Sequence, residues 1–207
     1  MTRQEAAQAT RQKLLETTGR LVCDRGFDNV SVDDIVTACG VARGTFYVYF
    51  RNKADAVRQY ARLPFVRLEQ RVMQKGDPVL ERLRCYIREF TSSLIEYGLP
   101  ITQQWVREVA DPRSAPASTD NGKLNDDLTV LVRLLESGIE QGELEAHMPV
   151  QRLAELITCQ LYGQMTCWCM SSGRLDMQAA ADTYCREVLP GLLAPYHLVK
   201  DHGGTND

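Results

Sequence analysis

Gly40-Val41-Ala42-Arg43-Gly44-Thr45-Phe46-Tyr47-Val48-Tyr49-Phe50 decides how this chain folds. Gly40 stops the helix that precedes it, and Val41 is an apolar residue facing inward. From Arg43 to about Phe50 the residues suit a short helix. Just upstream, Ser31-Val32-Asp33-Asp34 reads as a helix start. The Ser31 side chain can accept a backbone N–H bond, and Asp33 and Asp34 favour the positive end of the helix dipole. Ile35, Val36 and Cys39 continue an apolar face until Gly40 breaks it after about two turns. Two short helices joined by a glycine-containing turn form a helix-turn-helix.

Before this unit, Ala7, Thr10, Leu14, Leu15, Thr18, Leu21 and Val22 recur at three- and four-residue spacing. They predict a first helix over 4–25, with Gly26 as its C-terminal cap and Phe27 packing back onto it. After it, Asn52 reads as the N-cap of a fourth helix running to about Gln74, ended by Gly76-Asp77-Pro78. A fifth helix is expected over Val79–Tyr97, stopped by Gly98-Leu99-Pro100, and a sixth over about Ile101–Ala110. The stretch 111–122, DPRSAPASTDNG, is rich in turn formers and reads as a loop. A seventh helix covers Lys123 to about Gln141, and two long last helices cover about Val150–Ser171 and Asp176–Tyr196. The expected fold is all-α, about nine helices: an N-terminal three-helix helix-turn-helix domain over 1–52, a larger helical domain over 53–198, and a polar, disordered tail over 199–207.

Composition agrees. Apolar residues make up 44% of the 207, enough for a real core, and β-branched runs are scarce. The net charge of -3 runs against contact with DNA, but its distribution resolves this. Residues 1–75 carry 13 Lys+Arg against 8 Asp+Glu, a net of +5, while residues 76–207 carry 11 against 19, a net of -8. A basic front and an acidic back fit a nucleic-acid module joined to a different module. No apolar stretch approaches the roughly 20 residues that span a bilayer. The N-terminus lacks an apolar signal core, so a cytoplasmic protein with no membrane partner is expected.

The front module carries suitable chemistry. In a helix-turn-helix the first turn of the second helix enters the major groove, where an arginine can bond both acceptors of a guanine edge. Arg43, Gly44 and Thr45 occupy that turn. Gly44 lets the backbone come close, and Thr45 can reach a base or a phosphate. Tyr47 and Tyr49 offer hydroxyls to phosphates, and the Tyr47 ring can press on a thymine methyl. Lys53 lies at a helix N-terminus, a natural phosphate site. Arg3 could reach an adjacent groove from an N-terminal arm. Phe46 and Phe50 read as core, holding the recognition helix on the first helix.

The stretch from Arg11 to Ala56 resembles the TetR family of tetracycline-repressor-like regulators. The resemblance is carried by Gly26-Phe27, by Ser31-Val32-Asp33-Asp34-Ile35, by the quoted stretch from Gly40 to Phe50, and by Asn52-Lys53. It covers about a quarter of the chain closely; beyond that, only helix count and length match. It implies DNA contacts at Arg43, Gly44, Thr45, Tyr47, Tyr49 and Lys53, with Ser31 and Val32 added at the start of the second helix. It implies a homodimer on a palindromic double-stranded operator, a small-molecule effector, and no cofactor. The last two helices would form half of a four-helix dimer interface, with Leu156, Leu161, Gly163, Met165, Trp168, Val188 and Leu192 as candidates; the bland alternative is packing within one chain. Helices five to seven would enclose a ligand cavity near Phe65, Tyr86, Phe90, Tyr97, Trp105, Leu128, Leu131 and Leu135. The implied mechanism is a population shift, in which the ligand favours a dimer whose recognition helices no longer match the half-sites.

A redox or metal sensor on the same scaffold would use Cys159, Cys167, Cys169 or Cys185. Yet Cys167 and Cys169 point to nearly opposite faces of one helix, and Cys159 lies about 12 Å along the axis from Cys167. The paired close spacings of a structural zinc site are missing. For an enzyme, there is no glycine-rich phosphate loop, no His-Glu-x-x-His, no convincing nucleophile elbow, and only three histidines.

Overall fold

Side-chain caps and glycines set the ends of the first helices. The computed structural model describes residues 2–74, 76–110 and 122–198. Helix α1 (Arg3–Arg25) starts on a reciprocal cap between Thr2 and Glu5. Arg3 is therefore the first helical residue rather than part of an arm. A 3-10 turn, Phe27–Asn29, leads to α2 (Val32–Cys39). There the Ser31 hydroxyl accepts from the Asp34 N–H, and the Asp34 carboxylate accepts from the Ser31 N–H. Gly40 closes α2 at φ 67°, a left-handed conformation that glycine takes without a Cβ clash. Helix α3 (Arg43–Tyr49) follows, and then α4 (Lys53–Gln74), whose Asp55 N–H donates to the Asn52 side-chain oxygen at 2.8 Å. Helices α5 (Val79–Tyr97), α6 (Leu99–Ala110), α7 (Gly122–Glu140) and α8 (Val150–Met170) complete the larger part. The expected loop at 111–122 lies outside the described residues except for Gly122, and so does the expected tail.

The last expected helix is interrupted. Helix α9 (Met177–Thr183) widens into a π-helical turn, Tyr184–Val188, before α10 (Leu189–Leu193) and a 3-10 turn, Ala194–Tyr196. Pro190 is the cause. It has no N–H to give, so the Leu189 N–H reaches five residues back to the Tyr184 carbonyl. The Cys185 carbonyl then takes its bond from the Nε of Arg84 on α5, at 3.1 Å.

Two hydrophobic cores form. The smaller gathers Leu14, Leu15, Val22, Ile35, Phe46, Phe50, Ala56, Val57 and Ile101. The larger gathers Leu68, Val72, Leu83, Tyr86, Phe90, Trp105, Leu131, Leu135 and residues from α8 to α10. The expected boundary at 52/53 therefore falls inside α4 instead: Ala56, Val57 and Tyr60 serve the first core, Leu68 and Val72 the second. Pro64 lies between the two sets, and it cannot give the Tyr60 carbonyl the usual helical bond.

Candidate nucleic-acid interface and effector cavity

Helix α3 lies on the surface with one edge anchored. Phe46 is 0% exposed, and its ring meets Phe50 at 5.3 Å between centroids. Anchoring that edge turns Arg43, Gly44, Tyr47 and Val48 outward, with Val48 at 75% exposure. Nothing lies within 4 Å of a Cβ built on Gly44. Thr45 and Tyr49 are half-buried, and Tyr49 packs beside the smaller core. Ser31 is exposed with its hydroxyl committed to Asp34, and Val32 is half-buried against the same core. Arg43 is engaged with Asp33: its Nη1 donates to both carboxylate oxygens, at 2.7 and 2.6 Å.

Lys53 is engaged within the chain rather than open at the helix N-terminus. Its ammonium turns inward, donating to the Phe27 and Val30 carbonyls at 2.5 Å each and lying 3.9 Å from the centre of the Phe27 ring. Burial pulls its pKa below the ordinary lysine value. It therefore closes the open end of the 3-10 turn, a turn the sequence did not announce. Lys53→Met is expected to cost about 1–3 kcal/mol by stranding the Val30 carbonyl, while the Phe27 carbonyl keeps the Val30 N–H. A lowered Tm with an unchanged salt slope of DNA binding would show this. An unchanged Tm with a slope shallower by about 1 would return Lys53 to a phosphate.

A small cavity of about 20 Å³ lies between α4, α5, α6 and α8. Ala61, Phe65, Phe90, Tyr97, Ile101, Trp105, Tyr162 and Met165 line it, with Ser93 and Thr102 adding hydroxyls. Its wall is an aromatic cluster: Phe65 lies 5.2 Å from Phe90, and Trp105 meets Tyr162 edge-on at 5.4 Å. Beyond Phe65 lies a polar compartment of about 150 Å³ with Arg62, Glu69, Tyr86, Asp126 and Asp127 in its lining. Buried Asp127 accepts from the Tyr86 hydroxyl at 3.0 Å and the Tyr162 hydroxyl at 2.9 Å. Burial first, then the Asp127 charge, pushes both phenols well above their ordinary pKa, so both stay protonated and donate.

Of the expected cavity residues, Phe65, Phe90, Tyr97 and Trp105 line the apolar space and Tyr86 the polar one. Leu131 and Leu135 are 0% exposed in the larger core, and Leu128 packs against it; none of the three lines either space. Tyr162 and Asp127 were missed. The available signal was an acid, Asp127, on the same helical face as Leu131 and Leu134.

The expected dimer residues divide as well. Leu161, Met165 and Trp168 are buried in the chain's own core, and Leu192 is half-buried, so they are not an exposed face. Leu156, Gly163 and Val188 are exposed. Cys159, Cys167 and Met170, the last at 80% exposure, extend the Leu156–Gly163 stripe along α8. Cys169 and Cys185 are buried, and burial pushes each thiol up to about 11, which leaves little reactive thiolate at neutral pH. Among the described residues, no three His, Cys, Asp or Glu side chains are grouped so as to hold a metal ion. No helix among them is long and apolar enough to cross a membrane.

Comparison with known proteins adds to this geometry. Residues 14–59 match the family model described as bacterial regulatory proteins, tetR family. Residues 64–191 match the model for the C-terminal region of YsiA-like protein. Over 185 residues the chain is 23% identical to the fatty acid metabolism regulator protein of Bacillus subtilis (strain 168), covering 87% of this chain and 94% of that one. Over 191 residues it is 25% identical to the HTH-type transcriptional regulator AcrR of Shigella flexneri, covering 88% of each. The crystal structure of the transcriptional regulator FadR from Bacillus subtilis in complex with stearoyl-CoA superposes with a TM-score of 0.65. The identity is 23%, and the match covers 90% of this chain and 99% of that one.

Proposed function

The chain belongs to the tetR family of bacterial regulatory proteins and is a DNA-binding transcriptional regulator, and from that premise we propose that it works as a homodimeric repressor which a small-molecule effector releases from a palindromic operator. One observation carries the effector reading. Tyr97 and Ile101 line the aromatic cavity and also pack in the core beneath the helix-turn-helix. A ligand that moves the α5–α6 corner therefore acts directly on the base of the DNA-binding unit. It shifts the equilibrium only as far as it binds one arrangement better than the other. The second copy would sit on the exposed stripe Leu156, Gly163, Cys167 and Met170 together with Val188, since reading two half-sites requires a two-fold partner.

The test is selection from a randomised duplex library with the full-length protein. The expected product is a two-fold symmetric sequence with half-site centres about one helical turn, roughly 34–36 Å, apart. Arg43→Ala is expected to weaken binding to that sequence by about 1–3 kcal/mol, or 5- to 150-fold, with Tm unchanged. A library that enriches nothing, or an unaffected Arg43→Ala variant, removes the reading.

The effector is proposed to insert an apolar moiety among Phe65, Phe90, Trp105 and Tyr162. The Bacillus subtilis relative was crystallised with stearoyl-CoA, which makes that compound the first probe. Quenching of tryptophan fluorescence together with release of the labelled duplex supports the assignment. Neither response at a saturating concentration excludes that ligand class. The polar compartment sets three carboxylates, Glu69, Asp126 and Asp127, against one guanidinium, Arg62, in its lining. A polyanionic head group is poorly matched there, so a neutral or cationic analogue with the same chain length is the second probe.

A further inference from the structure

Helix α2 opens with two consecutive acids, and only one of them serves its cap. Asp34 takes the cap: its N–H donates to the Ser31 hydroxyl, and its carboxylate receives the Ser31 N–H at 2.8 Å. Asp33 points across the turn to α3, where both of its oxygens hold the Nη1 of Arg43. The guanidinium carbon sits 5.9 Å from the centre of the Tyr47 ring, so carboxylate, guanidinium and ring lie together on the outward face. Arg43 and Asp33 are 58% and 62% exposed, and an ion pair in that setting adds little to stability. Its position matters more than its energy. Asp33 places a negative charge on the face that must approach a polyanion, where each charge alters phosphate binding directly.

We propose that Asp33 is a specificity-determining residue that biases Arg43 toward base edges and away from phosphates. The proposal rests on the reading of α3 as the helix that enters the groove. A guanidinium has five N–H groups, and Asp33 occupies those of one nitrogen. The rest of the fork can meet the two neutral acceptors of guanine, N7 and O6, while Asp33 holds it in one orientation. A phosphate approaching the same fork meets the Asp33 charge and is repelled. The residue thus favours the right contact by orientation and penalises the wrong one by repulsion, and specificity is the difference between the two.

The experiment compares the full-length wild type with Asp33→Asn and Asp33→Glu. Asparagine keeps the shape and removes the charge; glutamate keeps the charge. The first probe is a random-sequence duplex titrated across salt, and the second is a randomised duplex library. Asp33→Asn is expected to bind the random duplex about 3- to 10-fold tighter, with a salt slope steeper by up to about 1. It is also expected to lose guanine preference at the base that Arg43 reads. Asp33→Glu keeps the random affinity low. In an Arg43→Ala background the asparagine substitution no longer changes base preference. Thermal melts confirm that Asp33→Asn is folded, as the retained Asp34 cap predicts. If the wild type selects a site and Asp33→Asn selects it equally, with unchanged random affinity, the proposal falls and the reading of α3 stands. If Asp33→Asn weakens random binding, the proposal also falls. A wild type that enriches no sequence overturns the underlying reading and this inference with it.

Discussion

Phe46→Ala is expected to unfold the helix-turn-helix while leaving the larger helical core folded. The Phe46 ring is 0% exposed and is the buried anchor within α3, which is only seven residues long. A helix that short does not persist without tertiary contacts. Its N-cap, Ala42, offers no side-chain hydrogen bond, so packing must supply the stability that capping elsewhere provides. Truncating a buried phenylalanine costs about 3–5 kcal/mol, a large share of the roughly 5–15 kcal/mol that holds a domain together. The loss falls on the smaller core alone, because Phe46 packs with Leu14, Leu15, Ile35 and Phe50 and not with the cluster around Phe90 and Leu131. Calorimetry should separate one wild-type transition into two, the lower belonging to the front unit. Duplex binding should vanish, while protection of the α5, α7 and α8 amides from hydrogen exchange should persist. A single transition at the wild-type temperature would show that the two cores do not have separate stabilities.

The second large effect is at Gly19. A Cβ built there would stand 2.2 Å from the Tyr60 ring, far inside contact distance. Tyr60 lies across α1 at this point, and its other side is closed by Tyr97 at 4.7 Å between ring centres. The ring cannot simply swing away, so α4 must move or Tyr60 must break its contact with Tyr97. Gly19→Ala is expected to cost about 1–3 kcal/mol as overpacking, and Gly19→Val more. In a chain of this size that lowers Tm by about 2–4 °C per kcal/mol. The displaced contact joins α1, α4 and the α5–α6 corner, so operator affinity should fall by more than the stability loss alone explains. The double variant Gly19→Ala, Tyr60→Ala makes room for the methyl group and should recover part of both losses. Equal losses in the single and double variants would mean that the clash with Tyr60 is not the cause.

The helix-turn-helix was legible because its signals are local. Ser31, Asp34 and Gly40 each act within a few residues of their own position, and Phe46 and Phe50 mark one face of a short helix at four-residue spacing. The inward turn of Lys53 was not legible because its partners, the Phe27 and Val30 carbonyls, lie more than twenty residues away and depend on a short 3-10 turn. Periodicity marks which face of a helix turns inward, but it cannot say whether the space there is filled. Leu131 and Leu135 share the inward face of α7 with Asp127, yet the leucines fill the core and the carboxylate borders a cavity. On α8 the apolar residues cover more than one face, so the pattern could not separate Leu161 and Met165, which are buried, from Leu156 and Gly163, which are exposed. The boundary inside α4 was hidden for a related reason: one continuous helical pattern changes partners without changing period.

Pro64 gives that shared helix a mechanical character. From Pro64 back to Lys53 is a rigid arm of about 16 Å at 1.5 Å per residue. A missing hydrogen bond makes the pivot softer than the arm. A tilt of roughly 10° there carries the arm's tip through about 3 Å by the same geometry, and in the proposed dimer the two arms would separate or converge by about twice that. Set against half-sites about 34–36 Å apart, the error approaches two base-pair steps. Under the proposed release mechanism, a ligand in the cavity would need only a small displacement close to the fulcrum, because the lever would multiply it before it reached the DNA.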